Sequence, residues 1–334
     1  LISSIVVMTA LSTQAFAKEL QAQVERNTVT VPNIYSEQKV APIKSFSQPY
    51  PEIAKLIEYN HCDEADKKLQ ELLNSKPNDP NLLALKAVSQ AKQHKLDPAQ
   101  FELDKLIKRA PNNPIVHYAQ GYVYMQRQTA SDVDYIKTTR GLINSAIKEF
   151  VTAVTLDKNY YQAYNAMGVA TLKLGNKNDA MELFQTALKV NPGFANAYDN
   201  VGVVEMMNGN LDAAEQNFMK AMKFNTHNPT AWYHMSQVET RRGNYSKALT
   251  WVNHSLHVNP NSSPALTLQG ELYLKQGNQA AAINSFKKAQ IVKPENIRPY
   301  LNLATIYENR ADEEFAMEQL KTSLAINPNN AESK

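Results

Sequence analysis

The sequence is poor in cysteine and in glycine, with one cysteine, Cys62, and ten glycines among its 334 residues. A single cysteine excludes an intrachain disulfide. So few glycines leave no glycine-rich loop for nucleotide phosphates, and the HExxH and GxSxG patterns of hydrolases are missing. These absences argue against an enzyme and predict neither a cofactor nor a metal.

The chain also lacks an excess of charge of one sign, since its formal net charge is +3. A nucleic-acid-binding domain typically carries a strong basic patch, and the sequence shows none. We therefore expect no nucleic acid as a partner.

A long hydrophobic run is missing as well. The apolar segment from Ile5 to Leu11 is short and has polar neighbours, which disfavours a stable membrane span. Ala15-Phe16-Ala17 before Lys18 fits a signal-peptidase site, so residues 1–17 predict a cleaved signal peptide and a periplasmic or secreted protein. The alternative is an uncleaved anchor, the one case in which we expect membrane contact.

Residues 18–45 show no sustained helical period beyond about Arg26. They predict an extended or disordered tether. An alternative is that this segment lies in the groove of its own chain or of a neighbour.

What the sequence does contain is a regular spacing of alanine. Consecutive members of the series are 34 residues apart except for one gap of 47: Ala65, Ala99, Ala146, Ala180, Ala214, Ala248, Ala282 and Ala316. This period is typical of helix-turn-helix repeats, which must stack because one repeat cannot bury its apolar face alone. With alanine at position 20, eight repeats cover 46–79, 80–113, 114–160, 161–194, 195–228, 229–262, 263–296 and 297–330, followed by a tail, 331–334.

Three further positions follow the same phase. Position 8, where the two helices cross, is small: Ala87, Gly121, Gly168, Gly202, Ser236, Gly270 and Ala304. Position 24 is large and apolar: Leu69, Leu103, Phe150, Phe184, Phe218, Val252, Phe286 and Leu320. Position 32 is proline except at Lys158 and Thr226, and we expect proline to end the second helix.

With these residues at positions 8, 20, 24 and 32, the chain resembles the tetratricopeptide-repeat (TPR) family over about residues 46–330. The first repeat fits least, because Ile53 takes its small position and Pro49 and Pro51 disturb its first helix, so we expect only a short helix near 52–59. The resemblance implies an all-α, right-handed superhelical solenoid of about eight helix-turn-helix repeats, one with a 13-residue insertion. It also implies a non-catalytic protein that binds protein or peptide.

The surplus of 13 residues falls between Tyr124 and Ala146. Ile136, Ile143, Ile147 and Phe150 continue a helical spacing, which favours a lengthened second helix over a loop. Two interpretations remain open, a protrusion that binds a partner and an insertion tolerated at a turn.

The first helices are expected to line a concave groove with positions 2, 5, 9, 12 and 13. Aromatic and methionine side chains alternate there with amides and isolated charges, which suits an extended peptide or a partner helix. Position 6 adds two asparagines and a histidine, too few for a continuous asparagine ladder. The candidate binding residues are Tyr118, Tyr122, Asn165, Asp199, Asn200, Met206, Tyr233, His234, Gln237, Arg241, Glu271, Lys275 and Asn302.

Some TPR domains clamp the acidic tails of chaperones with lysine, asparagine and arginine at positions 5, 6 and 9. Positions 5 and 9 contain no lysine or arginine in repeats two to eight. We therefore expect no clamp of that kind. His254-x-x-His257 has a metal-compatible spacing without an acidic third ligand, so we interpret it as a surface or packing pair.

The sequence thus predicts an exported, non-catalytic interaction scaffold, with envelope, pilus or secretion assembly as the roles that the resemblance suggests. Two alternatives stay open: an accessory or substrate-recognition part of an enzyme, and a self-associating structural protein. Apolar residues of the last repeat without a capping helix predict a homodimer through that repeat: Phe315, Met317, Leu320, Leu324 and Ile326.

Overall fold

The structure, a computed structural model, describes residues 49–127, 135–226 and 228–327. The predictions of a signal peptide over 1–17, a tether over 18–45 and a tail over 331–334 lie outside these residues, as does the first part of the insertion. Within the described ranges the chain forms sixteen α-helices and no strand. The predicted all-α fold of helical repeats is confirmed.

The helices follow one another in pairs, so that each odd-numbered helix is the first of its repeat and each even-numbered helix the second. Their bounds are α1 Pro51–Glu58, α2 Cys62–Ser75, α3 Pro80–Lys92, α4 Leu96–Arg109, α5 Pro114–Gln126, α6 Tyr135–Leu156, α7 Tyr161–Lys173, α8 Lys177–Val190, α9 Ala195–Met207, α10 Leu211–Phe224, α11 Pro229–Arg241, α12 Tyr245–Val258, α13 Ser263–Lys275, α14 Gln279–Val292, α15 Ile297–Asn309 and α16 Glu313–Ile326. Helix α6 has 22 residues, whereas α4 and α8 have 14 each.

The chain divides into two compact units between Thr186 and Ala187. The N-terminal unit contains α1 to α7 and the first part of α8, and the C-terminal unit contains the remaining helices. In the described residues no helix is both long enough and apolar enough to span a membrane.

Five of the eight first helices, α3, α5, α11, α13 and α15, start at a polar side-chain cap. The Asp79 carboxylate accepts the backbone N–H of Asn81 at 2.8 Å, and the Asn113 amide oxygen accepts that of Ile115 at 2.9 Å. Such caps satisfy amide groups that have no partner within the helix, and proline follows at N1, where its missing N–H costs nothing.

In repeats one, two and four to eight, the turn after the first helix uses a left-handed residue at position 15. This residue is glycine in repeats four to seven, for example Gly175 with φ 93°. In repeats one, two and eight the same place holds Asn60, His94 and Ala311, with φ between 60° and 62°. A side chain there is strained, because Cβ crowds the backbone in this conformation.

The second helices end at the same position whether or not proline follows. Helix α10 ends at Phe224 although Thr226 replaces the proline, while α8 ends at Val190 before Pro192. The prediction that proline ends these helices is therefore incomplete. The Asn225 N–H still donates to the Ala221 carbonyl at 2.9 Å, and the Trp232 indole N–H lies 3.4 Å from the Thr226 carbonyl.

The crossing of the two helices in a repeat is fixed by a pair of residues at positions 8 and 24. A Cβ added to Gly202 would lie 2.5 Å from Cε1 of Phe218, far inside van der Waals contact. The same approach occurs at Gly168 with Phe184 and at Gly270 with Phe286. Where position 8 carries a side chain, position 24 is smaller: Ala87 with Leu103, Ser236 with Val252 and Ala304 with Leu320. Repeats two to eight thus keep the volume at the crossing nearly constant, as a close-packed interior requires.

One arginine links the helices of repeats five and six. Arg242 lies 2.6 Å from a carboxylate oxygen of Glu215, 2.9 Å from Glu239 and 2.5 Å from Asp212. Glu239 is only 4% exposed and also accepts the Asn244 amide at 2.8 Å. The pKa of Arg242 is raised by these contacts, above all by the hydrogen bond to Glu215. Its charge is what allows the Glu239 carboxylate to be buried.

Candidate functional site

A groove of about 360 Å³ opens in the C-terminal unit between α11 and α13, the first helices of repeats six and seven. The start of α15 contributes to its lining. The residues around it are Tyr233, Gln237, Thr240, Arg241, Pro264, Thr267, Leu268, Glu271, Asn296 and Arg298.

The wall from α11 presents Tyr233, Gln237 and Arg241. Their spacing of four residues places them on one face of the helix. The Gln237 amide donates to the Tyr233 hydroxyl oxygen at 3.0 Å, which leaves the tyrosine O–H free to donate. Burial raises the pKa of Tyr233, opposed by Arg298, so this hydroxyl stays protonated at neutral pH.

The opposite wall holds an ion pair between repeats seven and eight. Arg298 donates through Nε to one oxygen of Glu271 at 2.6 Å and through Nη2 to the other at 3.1 Å. The Asn302 amide lies 3.3 Å from the same carboxylate. This fork fixes the Glu271 side chain and neutralises its charge.

Arg241 has a different environment at the end of α11. Its guanidinium donates to the main-chain carbonyl of Met206, in the last turn of α9. A cation is favoured at the C-terminal end of a helix, but a carbonyl does not cancel its charge. Since one of five N–H donors is used in this way, the rest can serve a ligand.

Four of the predicted binding residues line this groove: Tyr233, Gln237, Arg241 and Glu271. Asn302 does not line the groove itself, but its amide contacts the lining residue Glu271. Lys275 is exposed one turn beyond Glu271 on α13 and is not part of the lining.

Two predicted residues are instead part of the packing of the C-terminal unit. The side chain of Met206 is 5% exposed and packs with Phe218 and Met235, so it lies in the core and not on the groove surface. Position 12 of this helix faces the core, and the exposed methionine is its neighbour Met207, at 48%. Asp199 is likewise buried, with its carboxylate 3.0 Å from Nδ1 of His234.

The His234 ring is enclosed by aromatic neighbours, with centroids 5.2 Å from Phe218 and 5.5 Å from Tyr233. It therefore supports the wall that carries Tyr233. Asn200, the position-6 residue of the preceding repeat, is half-buried.

In the N-terminal unit the predicted tyrosines belong to an aromatic cluster. The Tyr118 ring lies 5.9 Å from Phe150, 5.1 Å from Tyr160 and 6.2 Å from Tyr122. Burial raises the pKa of Tyr118 well above its ordinary value and that of Tyr122 to about 12. Asn165 is half-buried in the same unit.

The sequence interpretation did not single out Pro264, Leu268 and Asn296 as lining residues. Pro264 stands at position 2, which the positional rule includes, so it could have been found. Asn296 is the N-cap of α15, outside the helix to which that rule applies. Also missed was Glu58, at position 13 of repeat one, where burial raises the carboxyl pKa to about 7 against the opposing charge of Lys92.

A buried histidine in the N-terminal unit makes its stability depend on pH. His117 is 9% exposed, with Nδ1 2.6 Å from Glu149 and Nε2 2.7 Å from the Pro111 carbonyl. Because both nitrogens face acceptors, both carry a proton in the folded state. The hydrogen bond to Glu149 is the main cause that raises the pKa of His117, and burial opposes it.

We expect this pair to contribute about 1 kcal/mol of stability that is complete below about pH 6.5 and is lost as pH rises through the raised folded-state pKa. Urea unfolding followed by circular dichroism should show the advantage of the wild type over Glu149→Gln shrinking between about pH 6 and pH 9. Replacement of the exposed His257 by glutamine is the control, and its profile should follow the wild type. A constant difference between wild type and Glu149→Gln would contradict the assignment.

No group of three or more histidine, cysteine, aspartate or glutamate side chains suits a metal ion in the part of the chain that the structure describes. Of the histidine pair in α12, His254 lies against Trp232, at 5.0 Å between ring centroids.

Comparisons with known proteins agree with this architecture. Family models of the tetratricopeptide repeat match residues 165–223, 263–296 and 297–330. No curated protein sequence matches the chain.

Among solved structures, the APC/C hetero-tetramer Cut9–Hcn1 is similar with a TM-score of 0.71 and 17% identity, over 84% of this chain and 53% of that chain. The chain thus spans about half the length of that relative, and the likeness concerns the fold. MamA matches with a TM-score of 0.39 and 24% identity, over 50% of this chain and 98% of that chain. YrrB, a TPR protein with an unusual peptide-binding site, matches with a TM-score of 0.41 and 20% identity, over 55% of this chain and 95% of that chain.

The family models match residues 165–186 of the N-terminal unit and residues 187–223 and 263–330 of the C-terminal unit, and the helical pairs repeat with the same phase throughout the described residues. Residues 165–223 and 263–330 are tetratricopeptide repeats, and the described helices have the fold of a tetratricopeptide-repeat protein.

Proposed function

We propose that this protein is a non-catalytic interaction scaffold that binds an extended peptide in the groove between α11 and α13. The observation that carries the proposal is the set of polar side chains along one open groove, with Tyr233 and Gln237 on one wall and Glu271 on the other. An extended peptide has unpaired N–H and C=O groups, and amide and hydroxyl side chains satisfy both kinds.

The size of the groove supports the same ligand. Tyr233 and Arg241 are eight residues apart, a rise of about 12 Å along a helix. This length matches about four residues of an extended chain. A volume of about 360 Å³ lies within the range of small binding pockets.

Removal of the α11 wall should therefore abolish binding. We would screen the full chain against displayed random octapeptides and titrate the selected peptides by calorimetry. Peptides selected on the wild type should bind the Tyr233→Ala/Gln237→Ala variant at least about tenfold more weakly, because two hydrogen-bonding side chains are lost.

The matched control is Tyr300→Ala/Gln276→Ala. It removes one tyrosine and one glutamine side chain that do not line the groove, so the affinity for the selected peptides should be unchanged. Equal binding by both double variants would reject the groove as the site. Circular dichroism of each variant verifies that it folds.

Export belongs to the same proposal, as do the roles in envelope, pilus or secretion assembly. Its support is the sequence of residues 1–17, with the apolar segment before Ala15-Phe16-Ala17. An alkaline phosphatase reporter fused after residue 45 should be active only when it is exported, so an inactive fusion that accumulates in the cytosol would contradict this part. Self-association through the last repeat stays a prediction, for which the support is the exposure of Phe315 at 54% and Met317 at 53%.

A further inference from the structure

The charges around the groove are not balanced. Glu271 is the only carboxylate among the described residues that line it, and Arg298 already neutralises this group. Arg241 contacts a neutral carbonyl. Within residues 49–127, 135–226 and 228–327, no carboxylate lies within 4.0 Å of the Arg241 guanidinium or of the Lys275 ammonium. The groove therefore keeps a net positive charge at one edge.

Arg241 and Lys275 define that edge. Both stand at position 13, one on α11 and one on α13, so they are equivalent residues of two successive repeats. Both residues are exposed, so a ligand that leaves the groove at this edge passes two cations.

We propose that the ligand of this groove is a peptide with acidic side chains, of which one carboxylate binds Arg241 and a neighbouring one faces Lys275. This inference rests on the proposed function and adds the chemical class of the peptide. Arg241 is oriented by the Met206 carbonyl, and its remaining N–H groups match the two oxygens of a carboxylate. Tyr233, two turns away, donates its O–H to the main chain of the same peptide.

This arrangement differs from the clamp with which other TPR domains hold acidic tails. That clamp uses positions 5, 6 and 9, which carry Tyr233, His234 and Gln237 in repeat six. Here the cations lie one turn further along the helices, at the edge of the groove. Acidic side chains are thus expected at one end of the bound segment, with neutral residues between the walls.

A nucleic acid is the competing anionic ligand, and the lining disfavours it. Two exposed cations give a weak electrostatic footprint compared with the six to ten phosphate contacts of a typical DNA-binding surface. The acidic peptide needs only one or two charge pairs.

The test uses octapeptide libraries that are acetylated and amidated at their ends, so that only side chains carry charge. In each library one position is fixed as aspartate or as asparagine. The wild-type chain should retain the aspartate library about tenfold better at one or two adjacent positions, the size expected for a charge-assisted hydrogen bond. This preference should fall below about threefold in Arg241→Gln/Lys275→Gln, and Arg241→Lys should keep part of it.

The matched control is Arg310→Gln/Lys288→Gln, which removes an exposed arginine and an exposed lysine outside the groove and should keep the aspartate preference. A preference that persists in Arg241→Gln/Lys275→Gln, or equal retention of aspartate and asparagine libraries by the wild type, overturns the inference while peptide binding itself stands. If no library binds the wild type better than Tyr233→Ala/Gln237→Ala, the proposed function fails and the inference with it. Tighter retention of single-stranded DNA than of any aspartate library, with the same dependence on Arg241, would also overturn it.

Discussion

Replacement of Gly202 by alanine should destabilise the C-terminal unit by about 2–3 kcal/mol, although alanine is the better helix former. The new Cβ would lie 2.5 Å from Cε1 and 2.8 Å from Cδ1 of Phe218, a ring that is fully buried and cannot move aside freely. Both tryptophans of the chain, Trp232 and Trp251, lie in this unit, so urea unfolding followed by tryptophan fluorescence measures the loss.

The matched control for this substitution is Gly141→Ala in α6. Gly141 is exposed and has nothing within 4 Å of the added Cβ, so alanine should stabilise the N-terminal unit by about 0.5–1 kcal/mol, as measured by circular dichroism. The two substitutions are chemically identical and differ in sign only because of the neighbouring ring.

A second change should restore part of the stability lost at Gly202. Repeat two combines Ala87 with Leu103, and repeat eight combines Ala304 with Leu320. Gly202→Ala/Phe218→Leu should therefore be more stable than the sum of the two single losses predicts, with a coupling of about 1–2 kcal/mol. Strict additivity would show that the crossing does not couple these positions.

Loss of Arg242 should have an effect of similar size for a different reason. Arg242→Met keeps most of the side-chain volume and leaves the buried Glu239 carboxylate without a cation. We expect a loss of about 2–3 kcal/mol, somewhat below the range for a fully buried pair, because the Arg242 side chain is 22% exposed. Urea unfolding followed by tryptophan fluorescence checks this value.

Two further variants separate the contact between Arg242 and the buried Glu239 from the other ion pairs of Arg242. Asp212 is 93% exposed, so Asp212→Asn should cost less than about 1 kcal/mol. Glu239→Gln in the Arg242→Met chain should recover much of the loss, because a neutral amide no longer needs the cation. An equal loss for Asp212→Asn and Arg242→Met would contradict the assignment to Glu239.

The sequence predicted most of the fold because packing repeats with a fixed phase. The alanine at position 20 lies in the second helix of every repeat. The short first helix expected near 52–59 corresponds to Pro51–Glu58. The sequence also shows that positions 8 and 24 vary together: glycine at position 8 occurs with phenylalanine at position 24, alanine with leucine, and serine with valine. The meaning of this pattern depends on knowing that positions 8 and 24 touch.

The site was less predictable because it depends on contacts between repeats. Glu271 and Arg298 are 27 residues apart, and Asp199 and His234 are 35 apart, so no local pattern indicates that they pair. Met206 shows a second limit. A methionine at position 12 is equally compatible with a binding surface and with the core, and only the packing against Phe218 decides between them.

The turns at position 15 have a consequence for how the array opens. Glycine accepts the left-handed conformation without cost in repeats four to seven, whereas Asn60, His94 and Ala311 hold it with a side chain in repeats one, two and eight. For alanine the left-handed conformation costs about 1 kcal/mol, and asparagine tolerates it better. In a linear array, where each repeat is held only by its neighbours, such costs lower the free energy of local unfolding in the repeats that carry them. Amide hydrogens of α3, α4, α15 and α16 should accordingly exchange with solvent before those of α9 to α12, so that repeats two and eight open before repeats five and six.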